Sequence, residues 1–147
     1  LKILLNSLEK EGISYKELER AANQLIPLEG ALEFLTWLRT HYQVAIVSDT
    51  FYELCQPLVK QLNNPMMICH RLKIENNCLT DYLLRQENGK HHVVKGFQAM
   101  NFQVIATGDS YNDINMLKQA DQSILFNPPL SLSFNTFGFG AKYLCIN

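Results

Sequence analysis

Three short apolar runs constrain this chain more than any other feature: Val44-Ala45-Ile46-Val47, Met66-Met67-Ile68-Cys69 and Val104-Ile105-Ala106. Each is too short for a helix and shows no polar alternation. A continuous apolar run of that length is typical of a strand buried on both faces of a parallel sheet. The first run ends in Ser48-Asp49-Thr50, and the third leads directly into Gly108-Asp109-Ser110-Tyr111-Asn112-Asp113.

Helical periodicity fills the intervals. Leu1, Leu4, Leu5 and Leu8 recur at helical spacing over residues 1–10, and Gly12 ends that segment. Ser14 followed by Glu17 forms a capping box, so a second helix is predicted over 15–24. Pro27 breaks it. A third helix covers 30–41, with Ala31, Phe34, Leu35 and Leu38 on one face. Further helices are predicted over 52–62, 90–100 and 114–119. A strand is predicted over 123–126, and a hairpin over 73–83 turning at Asn76-Asn77. Strands alternating with helices predict a doubly wound, Rossmann-like parallel α/β sheet. In such sheets the site lies beyond the carboxyl ends of the strands, which is where Ser48 and Asp109 fall.

Size and charge narrow the function. A chain of 147 residues is expected to form one domain, with room for a small appendage. The formal net charge is −1 and no block of like charges occurs, so neither nucleic acid nor an anionic membrane is expected as partner. No apolar run approaches the roughly 18 residues of a membrane span. No signal peptide is expected, because residues 1–10 read as an amphipathic helix. Cys55, Cys69, Cys78 and Cys145 are spaced 14, 9 and 67 residues apart, which matches no zinc or redox pattern. Buried, reduced thiols in a cytoplasmic protein are expected. Cys69 and His70 are adjacent, but neighbours on a strand face opposite ways, which argues against a Cys/His nucleophile. The chain begins at Leu1 in what reads as mid-helix, so it is expected to be a fragment.

Within the Gly108–Asp113 segment, Gly108 is expected to let the chain turn sharply at the strand end. Asp109 and Asp113, four residues apart on a loop entering a helix, can face one point. Hard oxygen ligands in that number suit Mg²⁺, which takes one or two carboxylates plus a phosphate oxygen. A turn with Asp113 as helix N-cap fits the same residues. Ser48 has a hydroxyl able to donate to a phosphate oxygen, and it also fits a plain loop-start serine. Lys90, after Glu87-Asn88-Gly89, can neutralise a phosphate as a point charge. A solvated surface lysine is the plain alternative. His91 and His92 supply too few ligands for a metal site.

Order adds to these signals. A strand with Ser48, a helix opened by Lys90, and a strand running into Gly108-Asp109-x-x-Asn112-Asp113 resemble the second, third and fourth motifs of the haloacid dehalogenase-like phosphatase superfamily. Lys90 precedes Asp109 by 19 residues, room for one helix and one strand. Pro27-Leu28-Glu29-Gly30-Ala31, Val47-Ser48-Asp49-Thr50-Phe51-Tyr52-Glu53, Leu84-Arg85-Gln86 and Gly108-Asp109-Ser110-Tyr111-Asn112-Asp113 together look like the bacterial phosphoserine phosphatase/homoserine phosphotransferase family. The resemblance covers roughly residues 1–128. It implies a small helical cap remnant at 1–26 and a haloacid dehalogenase-like core at 27–147.

The resemblance further implies an enzyme of amino-acid biosynthesis that uses Mg²⁺ and acts on a small phosphorylated amino acid, and it is compatible with a homodimer. Asp109 and Asp113 would serve the metal. Ser48, Asp49, Thr50, Lys90 and Asn112 would meet the substrate, with Ser48, Lys90 and Asp109 in catalytic roles. Phosphoryl would pass from phosphoserine to an aspartate, then to water or homoserine. The family's first strand, ending Asp-x-Asp or Asp-x-Glu with that nucleophile and the general acid/base, has no counterpart here. An arginine gripping the substrate carboxylate would also precede Leu1. The run 131–138 does not look like the family's closing helix. The rival readings are a non-catalytic remnant binding Mg²⁺, phosphate or a partner, and, less well supported, a receiver-type signalling domain.

Overall fold

The computed structural model describes residues 14–85, 87–129, 131 and 143–146. The helix expected over 1–10 and the run 132–138 lie outside the described residues. The chain divides into two compact units, Leu1–Arg85 and Gln86–Asn147.

The first unit contains α1 (Tyr15–Ala22), α2 (Ala31–His41), β1 (Ala45–Phe51), α3 (Tyr52–Gln61), β2 (Met66–Glu75) and β3 (Cys78–Leu83). The predicted capping box forms: Glu17 Oε2 accepts the Ser14 amide at 2.8 Å, and the Glu17 amide donates to Ser14 Oγ at 3.4 Å. The α1 N-terminus is tied to the hairpin turn, because the Tyr15 and Lys16 amides donate to the backbone and side-chain oxygens of Asn77. Gly30 opens α2 at φ 76°, a left-handed conformation that only glycine adopts without strain. Pro57 sits inside α3 and has no N–H to offer the Glu53 carbonyl one turn back. The Tyr15 hydroxyl donates to that carbonyl instead, at 3.4 Å.

β1 and β2 pair in parallel, and β2 pairs antiparallel with β3, in the order β1-β2-β3. The turn falls where predicted. Asn76 and Asn77 have φ of 51° and 64°, and positive φ at both central residues is the mark of a type I′ hairpin turn. Two expectations need correction. β1 does not end at Ser48 but runs to Phe51, whose ring is buried near His70 and Tyr82 and whose backbone is in register with His70. β2 is longer than the apolar run 66–69 because its second half has a partner of its own in β3. β1 is also half-buried rather than buried on both faces; within it only Phe51 is fully buried. Among the described residues of this unit it has one paired edge, to β2.

The second unit contains α4 (Gly89–Ala99), β4 (Ile105–Gly108), a 3₁₀ turn (Tyr111–Asp113), α5 (Ile114–Gln119), β5 (Gln122–Phe126) and β6 (Tyr143–Ile146). All three strands run parallel in the order β4-β5-β6. The core consists of Val94, Ala106, Met116, Leu117, Ala120 and Leu125. Ile105, expected to be buried, is 47% exposed, because this core covers the Ala106 side of β4. The Asp121 carboxylate accepts the Val104 amide at 2.8 Å and so fixes the entry into β4. β6 was not anticipated.

Asparagine supplies most of the left-handed backbone: Asn63, Asn64, Asn76, Asn77, Asn88, Asn101 and Asn127 all have φ between 42° and 64°.

Candidate active site

The loop after β4 is organised by one carboxylate. Asp113 is buried, and its Oδ2 accepts the amides of Asp109 (3.1 Å) and Ser110 (3.2 Å) and the Ser110 hydroxyl (3.0 Å). Its Oδ1 accepts Lys90 Nζ at 2.8 Å, with both side chains largely withdrawn from solvent, 15% exposed for Lys90 and 8% for Asp113. Burial pushes the Asp113 carboxyl up, but the Lys90 ammonium, the Ser110 hydroxyl and the Asp109 amide together outweigh it and hold the group below the ordinary carboxylate range. Lys90 is therefore not a solvated surface lysine. It leaves the start of α4 to meet the loop after β4.

Gly108 has a different role from the one expected. It does not take a left-handed turn. A Cβ at that position would meet the Asp113 Cβ at 2.5 Å and its Cγ at 2.7 Å. Glycine is required so that the Asp113 side chain can lie against the strand end.

Asp109 is exposed, and among the described residues no hydrogen bond or ion pair involves its carboxylate. Asn112 is exposed on the 3₁₀ turn. The structure thus brings Lys90, Asp109, Asn112 and Asp113 onto one strand end and its following turn. His91 and His92 are engaged through Nδ1 with the carbonyls of Asn115 and Asn88. Among the described residues there is no cluster of three or more His, Cys, Asp or Glu side chains arranged to hold a metal ion. Mg²⁺ needs only one or two carboxylates beside water and phosphate oxygens, so the exposed Asp109 carboxylate fits as one ligand. Asp113 already accepts four hydrogen bonds and fits better as the group that holds Asp109 in place.

Ser48, Asp49 and Thr50 belong to the first unit. The Cα register of β1 with β2 holds from Ala45 to Val47 and resumes, shifted, at Phe51, so these three residues lie at an irregularity of the strand. Ser48 Oγ accepts the Thr50 amide at 3.3 Å, which leaves its own proton available to donate outward. Asp49 is half-exposed, and its Oδ1 lies 3.7 Å from Nε2 of the buried His70. Sequence reasoning considered His70 only as a neighbour of Cys69; its buried position opposite Asp49 comes from the β1–β2 register. Cys69 is itself buried, and loss of solvation pushes its thiol up to about 12, which makes it a poor nucleophile. Cys78 is exposed, contrary to the expectation that the thiols are buried.

These features fall on a chain whose residues 5–118 match the haloacid dehalogenase-like hydrolase family. The chain belongs to that family. It is 45% identical over 130 residues to a phosphoserine phosphatase of Pseudomonas syringae pv. tomato, covering 88% of this chain and 55% of the relative. It is 44% identical over 130 residues to phosphoserine phosphatase ThrH of Pseudomonas aeruginosa, covering 88% of this chain and 63% of that protein. The chain therefore spans less than two thirds of either relative's length. Among solved structures, a phospho-aspartyl intermediate analogue of phosphoserine phosphatase superposes with a TM-score of 0.74 at 26% identity, covering 91% of this chain and 65% of the other. No helix among the described residues is long and apolar enough to cross a membrane.

Proposed function

We propose that this chain is the greater part of the catalytic core of a Mg²⁺-dependent phosphoserine phosphatase, with phosphoryl transfer to homoserine as the variant activity. The observation that carries the reading is the loop after β4, where a saturated, buried Asp113 fixes the backbone of an exposed Asp109 and draws in Lys90. The 44–45% identity to the two Pseudomonas phosphatases supports it.

In this reading Asp109 is a Mg²⁺ ligand, and Asp113 keeps it in position through the Asp109 amide. When bound, the metal would neutralise charge on the phosphoryl oxygens. Ser48 donates its hydroxyl proton to a phosphoryl oxygen, with Asp49 and Thr50 as further substrate-binding residues. Lys90 balances the negative charge gathered around phosphate. Asn112 touches substrate. The nucleophilic aspartate, whose phosphorylation divides one hard displacement into two, and its acidic partner come from a segment that this sequence does not contain. Residues 1–26 belong to a helical cap and 27–147 to the core. The substrate is a small phosphorylated amino acid in serine and threonine metabolism, and the protein acts in the cytoplasm, where a homodimer is compatible with the reading.

The test is an assay of the complete protein encoded with this chain. It is expected to release phosphate from phosphoserine, to lose that activity on chelation, and to lose it in Asp109→Asn. The chain alone is expected to be inactive. A folded complete protein with no turnover of phosphoserine would overturn the reading in favour of a non-catalytic relative.

A further inference from the structure

His70 is the one buried histidine among the described residues, and both its nitrogens are accounted for. The Arg85 amide donates to Nδ1 at 3.2 Å. A backbone N–H can only donate, so Nδ1 carries no proton. The neutral ring therefore bears its proton on Nε2. That nitrogen faces Asp49 Oδ1 at 3.7 Å. The separation exceeds a hydrogen bond, and closing by about 0.5 Å would make it one.

The ring's surroundings make it rigid. His70 packs near Phe51, the last residue of β1, with ring centroids 6.3 Å apart. Arg85 is held in turn, its Nε donating to the Cys69 carbonyl at 3.2 Å while its guanidinium lies 5.9 Å from the Tyr52 ring centre. The arrangement links the exit of the hairpin, through one imidazole, to the segment Ser48–Thr50, where the β1–β2 register shifts.

We infer that His70 is a positioning residue: its Nε2 proton orients Asp49, and with it the Ser48–Thr50 backbone, toward the substrate. This rests on the proposed role of Ser48–Thr50 in binding the phosphorylated substrate. It extends that reading to a residue that touches neither phosphate nor metal.

Three variants of the complete protein separate the parts. His70→Asn keeps an acceptor for the Arg85 amide and loses reach to Asp49. His70→Gln can carry a donor toward the Nε2 position. Asp49→Asn removes the charge that the proton faces. Misplacement of a binding segment costs on the order of 10–100-fold, so His70→Asn is expected to lower kcat/KM for phosphoserine by about that factor, with the unfolding midpoint little changed. His70→Gln is expected to restore part of the loss. The double variant His70→Asn with Asp49→Asn is expected to be no worse than the poorer single variant. Wild-type kinetics in His70→Asn, or additive losses in the double variant, would overturn the inference.

A readout independent of turnover keeps the two ideas apart. The ¹⁵N spectrum of His70 is expected to show the Nε2–H tautomer and to shift in Asp49→Asn. An Nδ1–H tautomer, or a spectrum indifferent to Asp49, would overturn the role of His70 whether or not the protein is a phosphatase. Absence of phosphatase activity with the expected spectrum would count against the proposed function alone.

Discussion

Gly108 and Asp113 approach so closely that no methyl group fits between them, since a Cβ on Gly108 would lie 2.5 Å from the Asp113 Cβ. That neighbour is next to backbone and cannot swing away like the end of a flexible side chain. Gly108→Ala is expected to destabilise the chain by about 1–3 kcal/mol, the usual range for overpacking. Urea unfolding measures this directly, and an unchanged midpoint would show that the loop can shift at no cost.

The Lys90–Asp113 pair gives a double-mutant cycle. Asp113→Ala strands a mostly buried ammonium and removes the acceptor for three loop donors. Breaking such a pair from one side typically costs about 3–5 kcal/mol. Replacing Lys90 by Met in the same background removes the stranded charge, so the double variant is expected to be more stable than Asp113→Ala alone. If the second substitution brings no recovery, the pair contributes little and the loop donors dominate.

The same pair sets a pH dependence. The folded Asp113 carboxyl sits below its ordinary value of 3.8, so its contribution to stability is fully present above that value and is lost as pH falls through the lower, folded one. The difference in unfolding midpoint between the wild-type chain and Asp113→Asn is expected to be constant from neutrality to about pH 5 and to shrink below about pH 4. A difference that grows on acidification would contradict the assigned direction.

Ser48 Oγ accepts the Thr50 amide, a bond that does not use its own hydroxyl proton. In the complete protein Ser48→Ala is expected to lower kcat by on the order of 10²-fold, as loss of one preorganised donor does elsewhere. Ser48→Thr, which keeps the hydroxyl, is expected to retain more. Equal losses in the two variants would point to packing at this position instead of donation.

Thiol chemistry offers a check that needs no enzyme assay. Cys78 is exposed, whereas Cys55 and Cys69 are buried and both thiols are pushed up by loss of solvation. Under native conditions an alkylating reagent at pH 8 is expected to modify Cys78 well before Cys69. Comparable rates, followed by mass spectrometry, would mean that the first unit opens readily.

Much of this was legible because it is local. The Ser14–Glu17 capping box, the Asn76-Asn77 turn and the helix over 114–119 depend on neighbours within a few positions, and each was read correctly. The haloacid dehalogenase-like family was legible from motif order alone. The length of β1 was not, since it depends on a buried Phe51 and on its register with His70, a residue distant in sequence. Gly108 was recognised as required, but for a turn. The close approach of Asp113 that requires it exists only once Asp113 turns back to gather the Asp109 and Ser110 amides. The second half of β2 was hidden for a similar reason: its strand character comes from β3 and not from its own apolar content. Tyr143–Ile146 carried a weak signal, a short apolar run, and only its parallel pairing with β5 distinguishes it as a strand.

The left-handed asparagines bear on how freely the turns can vary. Glycine at such a position relieves steric strain of about 1 kcal/mol but widens the unfolded ensemble by a comparable 0.4–1 kcal/mol. The two effects nearly cancel. Exchange of Asn for Gly at Asn63, Asn101 or Asn127 should then be close to neutral, whereas a β-branched residue there would meet the strain without relief. The turns of this chain are permissive between two residue types and closed to most others, so sequence drift at these points leaves the path of the backbone unchanged.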